Sequence, residues 1–304
     1  MNNDICSIIT KFIYKPHYEL LEWINIKKLN WITLSANTNA IELLRENQDK
    51  IDWNILSENP SAILLLKENY DKIYWKWFSG NINAISLLKE NKDKIDWNIL
   101  SGNINAISLL EENKDKIEWN ILSGNINAIS LLEENKNKIN WYVLSGNINA
   151  INLIRENKIY LDWKRICYKC MDYDFIESNL YELNWDLLSS NPIALPLLLK
   201  YPNKINWDYL SENPNAIKLL EENQDKINWR FLSRNYNAIE LLKKNQDKID
   251  WINLHSNTSP DIIQLLESNK NKIDWVNFSL NPYIFKYMDK TKVIENAITI
   301  ILGK

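Results

Sequence analysis

Few residues in this chain have types and spacings that could do chemistry. Cys167 and Cys170 form a C-x-x-C, a spacing used by zinc sites and by thiol–disulfide enzymes. Zinc takes four ligands, and the other candidates, Cys6, His17 and His255, would be far away in a linear stack. A redox pair wants a strand-loop-helix context, which is missing here. Two buried thiols a helical turn apart are the expected reading. Adjacent carboxylates such as Glu111 and Glu112 recur on a face expected to be exposed, so they read as solvated surface rather than a general acid and base. His17 follows Pro16, and His255 replaces a recurrent serine. Four of the 5 glycines, Gly80, Gly102, Gly124 and Gly146, share one repeated slot, so no glycine-rich phosphate loop exists. H-E-x-x-H, G-x-x-x-x-G-K-[ST], G-x-S-x-G and G-x-G-x-x-G are all absent. The expectation is a non-enzyme with no catalytic residue, cofactor or metal.

Binding surfaces are better represented. Lys50, Lys72, Lys94, Lys116, Lys138, Lys204, Lys226, Lys248 and Lys272 align on one edge, as phosphate contacts of a helical-repeat RNA reader would. Aspartates such as Asp49, Asp93 and Asp247 adjoin them, which reads as mutual charge pairing. With 36 basic and 39 acidic residues the net charge is −3, so no global field recruits nucleic acid or anionic lipid. A second row is apolar: Ile55, Trp77, Ile99, Ile121, Val143, Leu187, Tyr209 and Phe231. If exposed it is a stripe for a protein partner; if the short helices tip inward it belongs to the core between units. Ile82, Ile104, Ile126 and Ile148 border it. The row is the candidate partner-binding surface.

The elements that carry these rows follow from tryptophan. From Trp31 to Trp251 a Trp recurs every 22 residues, and Trp275 follows after 24 across NTSPD. Twelve units result, and such a period signals a solenoid. The unit reads W-x-x-L-S-x-N-x-N-A-I-x-L-L-x-E-N-x-D-K-I-D, and SGNINAI stands at 79–85, 101–107, 123–129 and 145–151. Asp or Asn before Trp is an N-cap, and W-x-x-L places two apolar residues on one face. A second helix of roughly nine or ten residues starts at the next Asn, where Pro60, Pro192, Pro214 and Pro282 follow directly. This Asn is read as a cap in preference to a buried ladder joining units. The helix stops at another Asn such as Asn47, Asn91 or Asn223, a residue that tolerates the left-handed conformation. A leucine-rich coil would need alternating apolar residues ahead of its Asn, where this chain has Asn54, Asn98 or Asp186.

The fold class expected is therefore all-α: an α-solenoid of about twelve two-helix repeats over 30–280, an N-terminal cap over 1–29 and a C-terminal cap over 281–304. Ile5, Ile8, Ile9, Phe12, Leu20, Leu21 and Trp23 supply one cap; Val293, Ile294, Ala297, Ile298, Ile301 and Leu302 suit a covering helix at the other. Each Trp is expected to be the largest contributor to burial, about 200 Å² at roughly 25 cal/mol/Å², on the order of 5 kcal/mol as an upper bound. Helices about 9 Å apart would give an arc roughly 100 Å long. One unit, WKRICYKCMDYDFIESNLYELN at 163–184, keeps the length but replaces Ser, Asn and Ala with Cys167, Lys169 and Asp172. Drift, a bend in the array and a binding site all remain open for it.

At L-S-x-N-x-N-A-I-x-L-L-x-E-N-x-D-K-I-D-W, over roughly 18–282, the chain resembles tandem-repeat proteins of giant DNA viruses of the mimivirus type. The resemblance implies a place in the cytoplasm of an infected host or in a virion, and carries no functional residues. The opening MNNDICSIITKFI does not read as a secretory leader, no run of 18 apolar residues exists to span a membrane, and three cysteines suit a reducing compartment. A scaffold binding protein along one face is the function expected first; a structural virion component and an RNA- or DNA-binding repeat protein are the alternatives.

Overall fold

Each 22-residue stretch begins with a cap and a very short helix. In the Trp97 repeat, Asp96 accepts the Ile99 N–H at 3.0 Å, and the helix Trp97–Gly102 follows. A turn leads to Ile107–Glu111 and then to the one-turn 3₁₀ segment Lys114–Lys116. Where proline follows the Asn, that turn is itself 3₁₀: Pro60–Ala62 runs into Ile63–Glu68. The second helix is thus nine residues long, as expected, but its first turn is wound tighter. Fixed proline φ and the missing N–H suit that position. The Asn that ends the helix is not left-handed. Asn113 sits at φ −137°, ψ 51°, and its Nδ2 donates back to Leu109 O at 2.8 Å. Asparagine recurs there because its side chain satisfies an orphan carbonyl of the last turn.

The described residues are 17–289 and Thr291 of a computed structural model. They form an all-α repeat solenoid, with two three-residue strands besides the helices. Leu100, Ala106, Leu109 and Leu110 are fully buried, as are most of their counterparts in other repeats, although Leu43 and Leu219 are half-buried. The tryptophans of the repeat are only half-buried, against the expectation that they dominate the core. Trp opens its helix and so lies at the rim of the repeat, where the return turn crosses it. That turn places Lys116 Nζ 4.7 Å from the Trp97 ring centre. Lys50, Lys72, Lys94, Lys138, Lys226 and Lys248 sit likewise on Trp31, Trp53, Trp75, Trp119, Trp207 and Trp229. Seven of the nine lysines of the row are thus explained by cation–π seating rather than by pairing with the aspartates.

Two units divide the chain, one made of the residues up to Ile73 together with those from Asp274 onward, the other of Tyr74–Ile273. Within the second, successive repeats are joined by a buried amide. Asn125 Nδ2 donates to Ser101 O and Asn103 O of the preceding repeat, both at 3.1 Å, while its Oδ1 accepts the Asn127 N–H at 3.0 Å. Asn103, Asn147, Asn213, Asn235 and Asn257 do the same. The residue is cap and ladder at once, so the reading as cap alone was incomplete. Ser101 Oγ donates to Trp97 O at 2.7 Å and accepts the Glu118 N–H at 3.0 Å, tying helix to return turn.

In the first unit the two ends of the array meet. Asn37 Nδ2 donates to Ser279 O and Asn281 O, both at 3.0 Å, as if the Trp275 repeat preceded the Trp31 repeat. The C-terminal segment supplies the head of that repeat; the 3₁₀ turn Ile26–Lys28 and buried Leu29 supply its tail. Lys28 lies 5.2 Å from the Trp275 ring centre, the place that Lys50 takes on Trp31. Trp23 stacks on Phe278 at 5.9 Å, and Tyr18–Leu20 pairs antiparallel with Phe285–Tyr287. Within this unit the first repeat therefore finds its missing neighbour in the last, where terminal caps alone were expected. Up to Asp289 the described flanks are short strands, loops and one-turn 3₁₀ segments, with no α-helix of their own. Ile5, Ile8, Ile9 and Phe12, and the proposed covering helix of Val293, Ile294, Ala297, Ile298, Ile301 and Leu302, lie outside the described residues.

Candidate binding surface

The candidate row occupies the third residue of each first helix. Ile55, Trp77, Ile99, Val143, Leu187, Tyr209 and Phe231 are half-buried and Ile121 is 41% exposed. Ile121 and Val143 lie against the slot just before the ladder Asn of the repeat before them. A Cβ on Gly102 would stand 3.2 Å from Ile121 Cγ2, and one on Gly124 3.1 Å from Val143 Cγ1. Glycine recurs in that slot because the row needs the room, not for an unusual backbone angle. Tyr209 and Phe231 stack on each other at 5.9 Å and 18°. The row is thus neither a fully exposed stripe nor a closed core, but a half-buried ridge in which Tyr209 and Phe231 touch.

Exposed apolar residues flank this ridge. Tyr142 on the same helix as Val143 is 56% exposed, and Ile148, seven residues after Trp141, is 49% exposed. Ile82 is exposed too, whereas Ile104 and Ile126 are half-buried. On the far edge, glutamates reach the preceding repeat: Lys92 to Glu112 at 3.6 Å, Lys114 to Glu134 at 3.4 Å and Lys136 to Glu156 at 3.1 Å. These pairs are exposed, so each contributes at most about 1 kcal/mol.

The Trp163 repeat breaks the pattern in a defined way. Its first helix, Trp163–Lys169, is seven residues long. Cys167 replaces Ser, and its Sγ accepts the Asn184 N–H at 3.2 Å, the bond that serine Oγ receives elsewhere. Counting along the repeat puts Lys169 in the Asn slot, but the extra helical residue brings Cys170 there instead. Cys170 O accepts from Asn191 Nδ2 at 2.8 Å, and its Sγ takes the Asp172 N–H at 3.5 Å. Sequence reasoning missed this substitution because a one-residue extension is invisible when the total length stays 22. Both thiols are free and buried, as expected, and burial pushes Cys167 up to about 11.

Asp172 caps the second helix, accepting the Phe175 N–H at 2.8 Å and two contacts from Arg155 Nη2 at 2.8 and 2.7 Å. Burial raises its pKa, but the Arg155 and Phe175 hydrogen bonds outweigh that and hold the carboxyl below its ordinary value. Phe175 and Ile176 fill the Leu-Leu positions, and Trp163 lies flat on Phe175 at 5.7 Å. Tyr160 takes the lysine's place over Trp141 at 5.6 Å. A cavity of ≈ 390 Å³ opens beside this repeat, with Ser145, Asn147, Ile148, Cys170 and Asp172 in its wall. Among the described residues no group of three or more His, Cys, Asp or Glu side chains is arranged to hold a metal ion. Among them, too, no helix is long and apolar enough to cross a membrane.

A family model described as NosD, periplasmic copper-binding protein, matches residues 19–184, just over half of the chain. No curated protein and no solved structure matches.

Proposed function

We propose that this chain, which belongs to the family described as NosD, periplasmic copper-binding protein, is a non-enzymatic scaffold that binds protein along its apolar ridge. Copper does not come with the family here. The ion wants soft thiolate, thioether or imidazole donors, and the matched stretch 19–184 contains no histidine and one methionine, the exposed Met171. Its two cysteines already accept backbone N–H groups, and the Cys167 thiol resists ionisation. We place the scaffold in the cytoplasm of an infected host, on the strength of the giant-virus resemblance and of two thiols that stay free.

The observation behind the scaffold reading is the strip formed by Ile121, Val143 and their exposed neighbours Tyr142 and Ile148. Contiguous apolar surface flanked by polar side chains is the usual mark of a protein contact. Nucleic acid fits less well, because most of the lysine row is seated on indoles. A photo-crosslinking residue at Ile121 should give discrete protein adducts in infected-cell extract, while one at Asn137 on the exposed return turn should not. Ile121→Glu with Val143→Glu should abolish capture of the same partner. Equal labelling from both positions, or capture insensitive to the double change, would sink the proposal.

A further inference from the structure

At a regular junction one carboxamide does the joining. Asn147 sends both N–H groups of its side-chain amide to Ser123 O and Asn125 O, at 3.2 and 3.1 Å. The next junction, between the Trp141 and Trp163 repeats, has the same acceptors but no such donor. Cys170 stands in the ladder position and reproduces the acceptor side of Asn, but a thiol carries no NH₂. Among the described residues nothing donates to Ser145 O, and Asn147 O receives the Ala150 N–H at 3.1 Å alone. Ser145 and Asn147 are 2% and 3% exposed, and buried carbonyls rarely go without partners. The ≈ 390 Å³ cavity lies against them, within the size range of small-ligand sites.

We propose that this cavity binds a primary carboxamide, whose NH₂ replaces the missing asparagine amide on Ser145 O and Asn147 O. Ile148, Ile151 and Ile154 line the cavity as well, with Met171, Tyr173, Lys169 and Asp174 completing the wall; the three isoleucines favour a short aliphatic body behind the amide. A neutral carboxamide is favoured over an ammonium because the wall balances the carboxylate of Asp174 with Lys169, and Asp172 is already committed to Arg155 through two contacts. A carboxylate ligand has no proton to give two carbonyls. The spacing of the acceptors is the one that a carboxamide already spans at neighbouring junctions. This site is independent of the scaffold reading and stands whether or not the ridge binds protein.

Isobutyramide titrated into the full ¹⁵N-labelled chain should give saturable shifts at the amides of 145–147 and 170–172. Isobutyrate and isobutylamine should bind at least about tenfold more weakly. Cys170→Asn restores the internal amide and should lose isobutyramide binding by about tenfold or more while melting at a higher temperature. Cys170→Ser keeps the acceptor without adding NH₂ and should bind as the parent does. Equal binding of the three probes, no saturable shift with isobutyramide, or unchanged binding in Cys170→Asn would each overturn the assignment. The comparison of probes on the parent chain holds even if a variant fails to fold.

Discussion

A buried asparagine is an economical joint because its two ends do different work. The Oδ1 of Asn125 closes a turn in its own repeat, and the Nδ2 crosses to two carbonyls of the repeat before. Asn125→Ala strands Ser101 O and weakens Asn103 O in a closed interior, so stability should fall by about 2–4 kcal/mol, read from the urea midpoint at unchanged slope. Cys167 makes a second residue-level prediction. Burial raises its folded pKa from 9.0 to about 11, so the folded chain keeps the proton after the unfolded chain has lost it. The thiol's contribution is therefore complete below about pH 9 and is lost as pH rises towards about 11. Stability measured over that window should decline, and Cys167→Ser should flatten the decline. Iodoacetamide should modify Cys167 at pH 8 only after unfolding; rapid alkylation of the native chain would contradict its burial.

The first helices are four to seven residues long, too short to persist on their own. Packing between repeats holds them, and the glycine before the ladder Asn reports how tight that packing is. A Cβ at Gly146 would meet Arg165 Nη1 at 3.5 Å, ordinary contact with a flexible chain end, whereas at Gly124 it would press on Val143 at 3.1 Å. Neither glycine has a positive φ, so alanine restricts the unfolded chain without straining the folded backbone. Gly146→Ala should stabilise by about 0.4–1 kcal/mol. Gly124→Ala should gain less or destabilise, because the β-branched Val143 has little rotamer freedom to retreat. Melting temperatures of the two variants in one buffer decide this; a larger gain at Gly124 would mean the ridge is looser than the contacts imply.

At the scale of the whole chain, the docking of the Trp275 repeat onto the Trp31 repeat is the feature with most consequence. Terminal repeats of an open array expose a face that must be made polar or capped. Asn37 instead makes the same pair of bonds as an interior ladder residue, to Ser279 and Asn281. Asn37→Ala should therefore cost about as much as Asn125→Ala, about 2–4 kcal/mol. At a free end the same change would fall within about ±0.5 kcal/mol, the usual range for surface substitutions. Equilibrium denaturation of the two variants side by side distinguishes the cases.

The spacing of Trp, the Asp and Asn caps, the prolines after the ladder Asn and the Ala-Leu-Leu face were enough to derive the repeat, its two helices and its buried Ala and Leu positions, because these are local and periodic. They were not enough to derive the half-burial of Trp. The reading of Cys167 and Cys170 as buried thiols rested on the same periodicity. Pairings that cross the period needed the tertiary structure. It showed that lysine sits on tryptophan rather than beside aspartate, since only packing brings a return turn over the ring. It showed that Cys170, not Lys169, takes the ladder position, since a helix extended by one residue leaves the count of 22 unchanged. And it showed that Lys28 and Leu29 complete the repeat begun at Trp275, since a contact between residues some 250 apart leaves no local signature in the chain.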